Sequence, residues 1–591
     1  MKKTIIKGAA VTAMLTLVTF ACKDKFLDVP ATGQLASSQL TSKAGLEGVL
    51  LSSYAQLNGR GFARIASSYN FVRGSMSGGE ANKGSNSGDA GGNSNWTTFQ
   101  RYELLPSNGD VNDKWRGMYE GISRANALLR TLPSASADVS AADKQRMGAE
   151  ARFLRAHYYF ELKRSFNMVP YVDETLDYGK GIEQVKNDVD IWPKIEADFK
   201  YAQDNLPATQ TAAGRANKWA AAAYLAKTYL YQKKYAEAKA LFDQVIANGV
   251  TSNGKKYGLV ANYTDIFNAE RENTEESVFA IQAAVNTGDV ANSAQELDLN
   301  FPYNTGSNGP AGCCGFFAPS FDMANSFRVD AKGLPLLTGD PVKDQANGLY
   351  SQPGNELKND QGIESKAPFT PDAGPVDPRL DWSIGRRGIP YLDWQVHPGL
   401  DWIRDQSFAG PYSPKKFIFY RSQDKTLTDG SSWTDGYSAI NYNIIRFADV
   451  LLMAAECEVE VGSLETARTY INQVRTRAAN QAAWVKTADG KPAANYVISN
   501  YTAPFASKEA ARDAVQFERK LELSGEGHRF YDLVRWGIAA PVLNSFLSYE
   551  STKLPTGYAG AKFTAGRDEY MPIPQIQIDL QQGILKQNPG Y

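Results

Sequence analysis

"KWAAAAYLAKTYLYQKKYAEAKALFDQVI", Lys218 to Ile246, carries apolar residues at helical spacing on both sides of a polar break at Lys233-Lys234. The pattern returns without a gap at Phe447 to Arg475, "FADVLLMAAECEVEVGSLETARTYINQVR". Ala226 falls on Ala455, Ala238 on Ala467, Phe242 on Ile471, Val245 on Val474, and Thr228 on Cys457. Each copy reads as a helix, a tight turn (Lys233-Lys234, then Gly462-Ser463) and a second helix, with small residues where the two must approach closely. Such units cannot bury their apolar faces alone, so the separated copies are expected to stack on one scaffold. The fold class that follows is mainly α, a tetratricopeptide-like helical-pair scaffold (an α-α superhelix) carrying long loop-rich inserts.

Further helical blocks flank the first copy. "NDKWRGMYEGISRANALLRTL" sets Trp115, Tyr119, Ile122 and Ala125 on one face, and "AEARFLRAHYYFELKRSF" does the same with Phe153, Ala156 and Phe160. "IWPKIEADFKYAQDNLP" has a proline near its start and another at its end, as a helix should. The stretch between the copies, about 250–440, is rich in Gly, Pro, Asn, Asp and Trp without sustained periodicity, and reads as loops, short helices and brief strands. Loops of that length commonly carry function. The run 74–95, "GSMSGGEANKGSNSGDAGGNSN", reads for most of its residues as a surface linker, with Trp96 directly after it. The organisation expected is a leader over 1–21 and one domain over 22–591: helical pairs over 22–250, a ligand-binding insert over about 250–440, and helical pairs with a tail over 441–591.

The leader is "MKKTIIKGAAVTAMLTLVTFAC": Lys2, Lys3 and Lys7, a mostly apolar run from Ala9 to Ala21, then Cys22. The run is shorter than the ~20 residues a spanning helix needs, and its layout is that of a secretory signal. A cysteine closing it after a small residue resembles a bacterial lipobox, in which Cys22 would become the lipidated first residue of the mature chain. The alternative is ordinary cleavage after Ala21, which leaves Cys22 a free thiol. Either way the mature protein lies outside the cytoplasm, where disulfides persist. Lysines plus arginines number 63 against 64 acids, spread evenly, so nothing suggests a field for nucleic acid.

One short motif stands apart. "GCCGFF", Gly312 to Phe317, holds two adjacent cysteines of the four in the chain. Neighbouring Cα atoms lie about 3.8 Å apart, below the usual disulfide window of roughly 4.4 to 6.8 Å. Spacing alone therefore leaves open a strained ring or two thiols.

Enzyme signatures are missing. The three histidines, His157, His397 and His528, are far apart in sequence, and there is no G-x-S-x-G elbow, no H-E-x-x-H and no Walker loop. A glycoside hydrolase needs only two carboxylates, so that reading stays as an alternative, as does a helical-repeat scaffold that docks proteins.

Five motifs, in order, then carry a resemblance: "FLDVP" just after Cys22, "RAHYYFEL" at 155–162, "DPRLDW" at 377–382, "NYNIIRFADVLLMAAEC" at 441–457 and "ERKLELSGEGHRFYDLVRWG" at 518–537. Together they cover nearly all of the mature chain, and in this set the sequence resembles the SusD/RagB family of outer-membrane lipoproteins. The resemblance implies a non-enzymatic, glycan-binding lipoprotein on the surface of a Bacteroidetes-type bacterium. It implies as partners an oligosaccharide or polysaccharide, a SusC-like TonB-dependent transporter to which the glycan is delivered, and the outer membrane through the N-terminal lipid. Lys23-Asp24 is similar to the short charged signal that sends such lipoproteins to the cell face. No cofactor is implied, and whether calcium assists is left open.

Most motif residues read as scaffold. Glu518, Arg519, Glu522, Arg529, Asp532 and Arg535 have the makings of an ion-pair network, His528 of a capping or hydrogen-bonding residue, and Trp382 of a structural one. Sugar binding, by contrast, asks for flat rings to stack on and planar polar groups that bond in pairs. Candidates by this test are Glu80, Lys83 and Asp89 in the glycine-rich run, Trp96 after it, and Tyr303 ahead of "GCCGFF". The span 381–406 adds Arg386, Arg387, Tyr391, Trp394, Trp402 and Arg404. In SusD-like proteins the ligand surface is built from loops near this part of the chain. The expectation is thus a Cys313–Cys314 disulfide, its strain relieved by the flanking glycines, presenting a flat plate with Phe316 and Phe317 beside it. The competing expectation puts both phenylalanines in the core. Cys457 is then left as a buried single thiol.

Overall fold

The computed structural model describes residues 37–62, 64–89, 96–304, 308–431, 434 and 436–591. The leader over 1–21, Cys22 and the "FLDVP" motif lie outside the described residues. The first copy of the repeat is α5 (Lys218–Tyr231) and α6 (Tyr235–Asn248); the second is α7 (Phe447–Val461) and α8 (Leu464–Ala478). Ahead of them run α1 (Lys43–Ala55), α2 (Gly109–Thr131), α3 (Ala141–Phe166) and α4 (Trp192–Asn205). After them come α9 (Lys508–Glu522), α10 (Arg529–Trp536) and α11 (Ala539–Lys553).

Local chemistry sets the ends. The Asn217 side chain caps α5 by accepting from the Trp219 and Ala220 amides, and Ser463 caps α8 through the Thr466 amide. Pro193 sits in the first turn of α4, where its missing N–H is not needed. Lys233 turns the chain between α5 and α6 at φ 59°.

Packing follows the chain from α2 to α6, each helix against the next, and then α6 lies directly on α7. The two copies are therefore adjacent in the superhelix although the insert separates them in sequence. All eight aligned small and apolar positions, from Ala226 and Ala455 to Val245 and Val474, are fully buried. Lys239 Nζ on α6 bonds Glu458 on α7 at 2.8 Å across the junction. One apolar core runs from Leu46 on α1 to Leu585 near the C-terminus, and a second gathers α9–α11 with parts of the insert.

The insert is loops and short helices with one longer strand pair, β1 (Ser277–Ile281) antiparallel to β2 (Tyr442–Arg446), with Ile281 opposite Tyr442. The "YNIIR" part of the motif ahead of α7 is thus a mostly buried strand.

The predicted ion-pair network is present, but most of its partners come from elsewhere in the chain. Arg379 of "DPRLDW" bonds Asp377 (2.8 Å), Glu518 (2.7 Å) and Glu522 (2.9 Å), and Arg446 bonds Glu276 (2.8 Å), Glu522 (2.6 Å) and Glu526 (2.7 Å). Burial alone would push the Glu522 carboxyl up, yet Arg477, Arg446 and Arg379 hold it well below its ordinary range. Arg529 departs from the expectation, since its guanidinium bonds the side-chain and backbone oxygens of Gln345. His528 occupies the position before α10 without a side-chain capping bond. Losing one member of such a set strands a buried charge, so the network locks the insert to the helices and is unsuited to meeting a ligand.

The glycine-rich run differs from the linker expected for it. Residues 71–85 are buried, and a Cβ on Gly74 would overlap the carbonyl of Gly527, in the turn between α9 and α10. Only glycine allows two backbones to approach so closely. Beyond Gly84, whose φ is 80°, the loop 81–89 runs antiparallel to 315–319: Ser85 donates to Gly315 O at 2.6 Å and Phe317 to Lys83 O at 3.0 Å.

A candidate ligand-binding surface at the vicinal disulfide

Cys313 and Cys314 are joined by a disulfide, with their Cα atoms 3.6 Å apart. The turn that holds them has left-handed backbone at Ala311 (φ 54°), Cys314 (φ 105°), Gly315 (φ 69°) and Phe317 (φ 54°). Non-glycine residues adopt such angles at a cost that surrounding contacts must offset. Here Phe316 donates to Leu299 O at 3.3 Å, and Asn304 Nδ2 reaches the carbonyls of Gly309 and Ala311. Both cysteines stay partly exposed, Cys313 against the small cluster of Phe301, Tyr391, Trp402 and Ile418, and Cys314 against the main core.

Around the plate stand side chains from three loops. Tyr303 is partly exposed, and the Arg404 guanidinium lies 5.8 Å from its ring centroid. Arg404 Nη1 donates to Asp89 Oδ2 at 2.6 Å and Ser85 Oγ at 3.0 Å. Lys83 donates to the carbonyls of Asn86 and Asp89 and shapes the loop from within. Burial, with repulsion from Arg404 added, brings its ammonium down to about 8 against the pull of Asp89. Trp394 is half-buried, leans on the same small cluster as Cys313, and donates from Nε1 to Phe419 O at 3.0 Å.

The structure thus brings Asp89, Tyr303, Cys313, Cys314, Trp394 and Arg404 onto or beside one partly exposed surface, and withdraws the other candidates from it. Trp96 is 2 % exposed, packed between Phe316 and Phe317, both buried themselves; all three are core, because the turn folds them under the plate. Tyr391 and Trp402 are buried beneath the loop, their rings edge to face at 5.2 Å. Arg386 is spent on Asp381 at 2.7 Å, and buried Arg387 bonds the carbonyls of Ser365 and Ala367. Glu80 is buried and accepts from the Gly525 amide at 3.1 Å; burial lifts its carboxyl to about 7. Trp382 donates to Ala483 O at 2.7 Å, a scaffold contact. Sequence reasoning missed Ser85 and Asn304; Ser85 stands in a glycine-rich run of small polar residues and Asn304 directly after Tyr303, and neither place gave a signal of its own.

The disulfide surface sits on a helical scaffold whose sequence matches the SusD family over residues 275–591. The chain belongs to the SusD family. A second family, described as starch-binding and associating with the outer membrane, matches residues 25–230. Among curated proteins this SusD-family chain is similar to SusD-like protein P25 of Formosa agariphila, 29% identical over 443 residues that make up 73% of this chain and 71% of that one. Among solved structures it is similar to a laminarin-binding SusD-like protein (TM-score 0.61, 24% identity, 93% of this chain and 100% of that one). It is likewise similar to surface glycan-binding protein A from Bacteroides thetaiotaomicron in complex with laminarihexaose (TM-score 0.62, 20% identity, 93% and 99% covered). At these identities the structures speak for a shared fold.

Proposed function

We propose that this SusD-family chain is a cell-surface glycan-binding protein. It captures oligosaccharide on the disulfide surface and delivers it, unaltered, to a SusC-like TonB-dependent transporter. Residues 22–591 act as one domain, held at the outer membrane by lipid on Cys22. The observation that carries the reading is the vicinal disulfide itself: a flat, partly exposed apolar plate with Tyr303, Trp394 and the Arg404–Asp89 pair around it, in a family whose relatives include proteins named for laminarin and glycan binding. Such a plate stacks on the C–H face of a sugar ring, while Asp89, Ser85, Asn304 and Arg404 bond its hydroxyls.

The test is a glycan-array or affinity-gel screen of the soluble form lacking residues 1–22, followed by product analysis. Binding is expected in the micromolar to millimolar range, about 4 to 8 kcal/mol, with the glycan recovered intact. Cleaved products that disappear when one carboxylate is neutralised would move the protein to the hydrolases. For the anchor, Cys22→Ala should release folded protein from membranes; a variant that stays membrane-bound counts against lipidation.

A further inference from the structure

We propose that a groove formed by α2, the loop 170–182 and the C-terminal segment 575–581 is a second saccharide site, for a short neutral sugar of one or two rings. The groove shares no residue with the disulfide surface. Its volume is about 410 Å³, inside the range of roughly 300–1,000 Å³ typical of small-molecule sites.

Its walls are aromatic and already fixed. The rings of Trp115 and Tyr119 lie 5.0 Å apart at 42°, and the Tyr119 hydroxyl donates to Pro170 O at 2.7 Å. Tyr178 accepts from Asn126 Nδ2 at 2.9 Å with Arg130 over its ring, and Phe62 lies under Arg116 at 5.1 Å. These rings need not move to receive a ligand, which lowers the cost of binding.

The polar groups are of the neutral, hydroxyl-matching kind. Gln581 lines the groove, and its Oε1 is buried and has no partner among the described residues. An acceptor without a donor is costly, and a turn of the half-buried Gln581 side chain would bring it to a ligand hydroxyl in the groove. Gln577, beside it, is oriented by an Nε2 bond to Asn112 at 2.9 Å, and Ser123 presents a hydroxyl from α2. The charges at the rim are engaged with one another, Arg116 with Asp113 at 3.6 Å and Glu120 with Arg124 at 2.9 Å. Stacking surface, unpaired amide acceptor and neutralised rim together select an uncharged polyhydroxylated ring.

The inference leans on the proposed function only for its choice of probes. Laminaribiose, cellobiose, maltose and lactose are titrated, by calorimetry and saturation-transfer NMR, into the mature protein with the disulfide surface disabled by Trp394→Ala and Arg404→Ala. At least one should bind with a millimolar constant, and Gln581→Ala should weaken it about tenfold. Ser123→Phe, which fills the groove, should abolish it. Because Gln581 is only half-buried, near the end of the chain, its variant stays informative if Ser123→Phe fails to fold. No binding of any of the four, or binding untouched by Gln581→Ala, overturns the groove site. If the wild type binds polysaccharide while the disabled protein binds no disaccharide, only the groove proposal falls. If the disabled protein binds polysaccharide as tightly as the wild type does, the disulfide-surface reading falls instead.

Discussion

Arg404 reaches back across the chain to Asp89, 2.6 Å from guanidinium to carboxylate, and so closes the glycine-rich loop onto the aromatic loop at the edge of the disulfide plate. Both side chains are a quarter to a third exposed, so the pair adds at most about 1 kcal/mol to stability. Arg404→Ala should therefore leave the melting temperature nearly unchanged and weaken glycan binding by about 1 to 2 kcal/mol. Calorimetric titration beside a thermal melt checks this; a large loss of stability with unchanged affinity would make the pair structural.

The plate predicts a chemical signature. Without reduction, the peptide containing Cys313 and Cys314 should be lighter by two hydrogens and inert to alkylation, whereas Cys457, buried and with its thiol pushed up by burial, should react only after unfolding. Cys313→Ser with Cys314→Ser should weaken binding at little cost in stability, since the loop closed is minimal and the entropic gain small. A double variant that binds like the wild type reduces the turn to scaffold.

Two tryptophans close in chemistry should behave oppositely. Trp394→Ala, at the half-buried edge, should lose about 1 to 3 kcal/mol of binding, by analogy with base stacking on aromatic side chains. Trp96→Ala empties a core site between Phe316 and Phe317 and should cost about 3 to 5 kcal/mol of stability. Urea unfolding and titration of each variant separate the two; the reverse pattern would place the binding face on the wrong side of the turn.

Glu550 gives a pH test. Burial, with the Asp322 carboxylate adding to it, lifts its carboxyl to about 8, and Oε2 has no partner among the described residues. A raised carboxyl favours the folded state only while protonated, so the stability it supports is present below about pH 4.5 and is lost as pH rises toward 8. Glu550→Gln should accordingly gain on the wild type across that window, by a few kcal/mol at most. Melts at pH 4.5 and 8.5 should show a small gap at the lower value and a wider one at the higher. Parallel curves would mean that the carboxyl titrates normally.

The helical pairs were legible because their information is periodic. Ala226 and Ala455, Ala238 and Ala467, Phe242 and Ile471 mark faces that repeat every turn, and a face that must be buried names its own partner. The same holds for the charged residues of "ERKLELSGEGHRFYDLVRWG": a helix so rich in both signs and in apolar residues has to pair its charges on burial, although only the fold shows that Glu518 and Glu522 meet Arg379, Arg446, Arg475 and Arg477.

The candidate face was only half legible. Composition marked the loops that carry the aromatics and arginines, but a loop has no period, so nothing in the order of residues says which way a ring points. Trp402 and Trp394 stand in the same short span, yet the first is buried under Gly309 and the second reaches the edge. Likewise the run 74–85 has the composition of a linker, and it is core only because Gly74 meets Gly527, and Gly84 meets Gly315, across long separations in sequence. Sequence by itself determined what is set by neighbours three or four residues apart: the helices and their pairing. Tertiary structure decided what depends on contacts between distant backbones: which side of the turn at Cys313–Cys314 faces solvent, and which of its aromatics are free to meet a ligand.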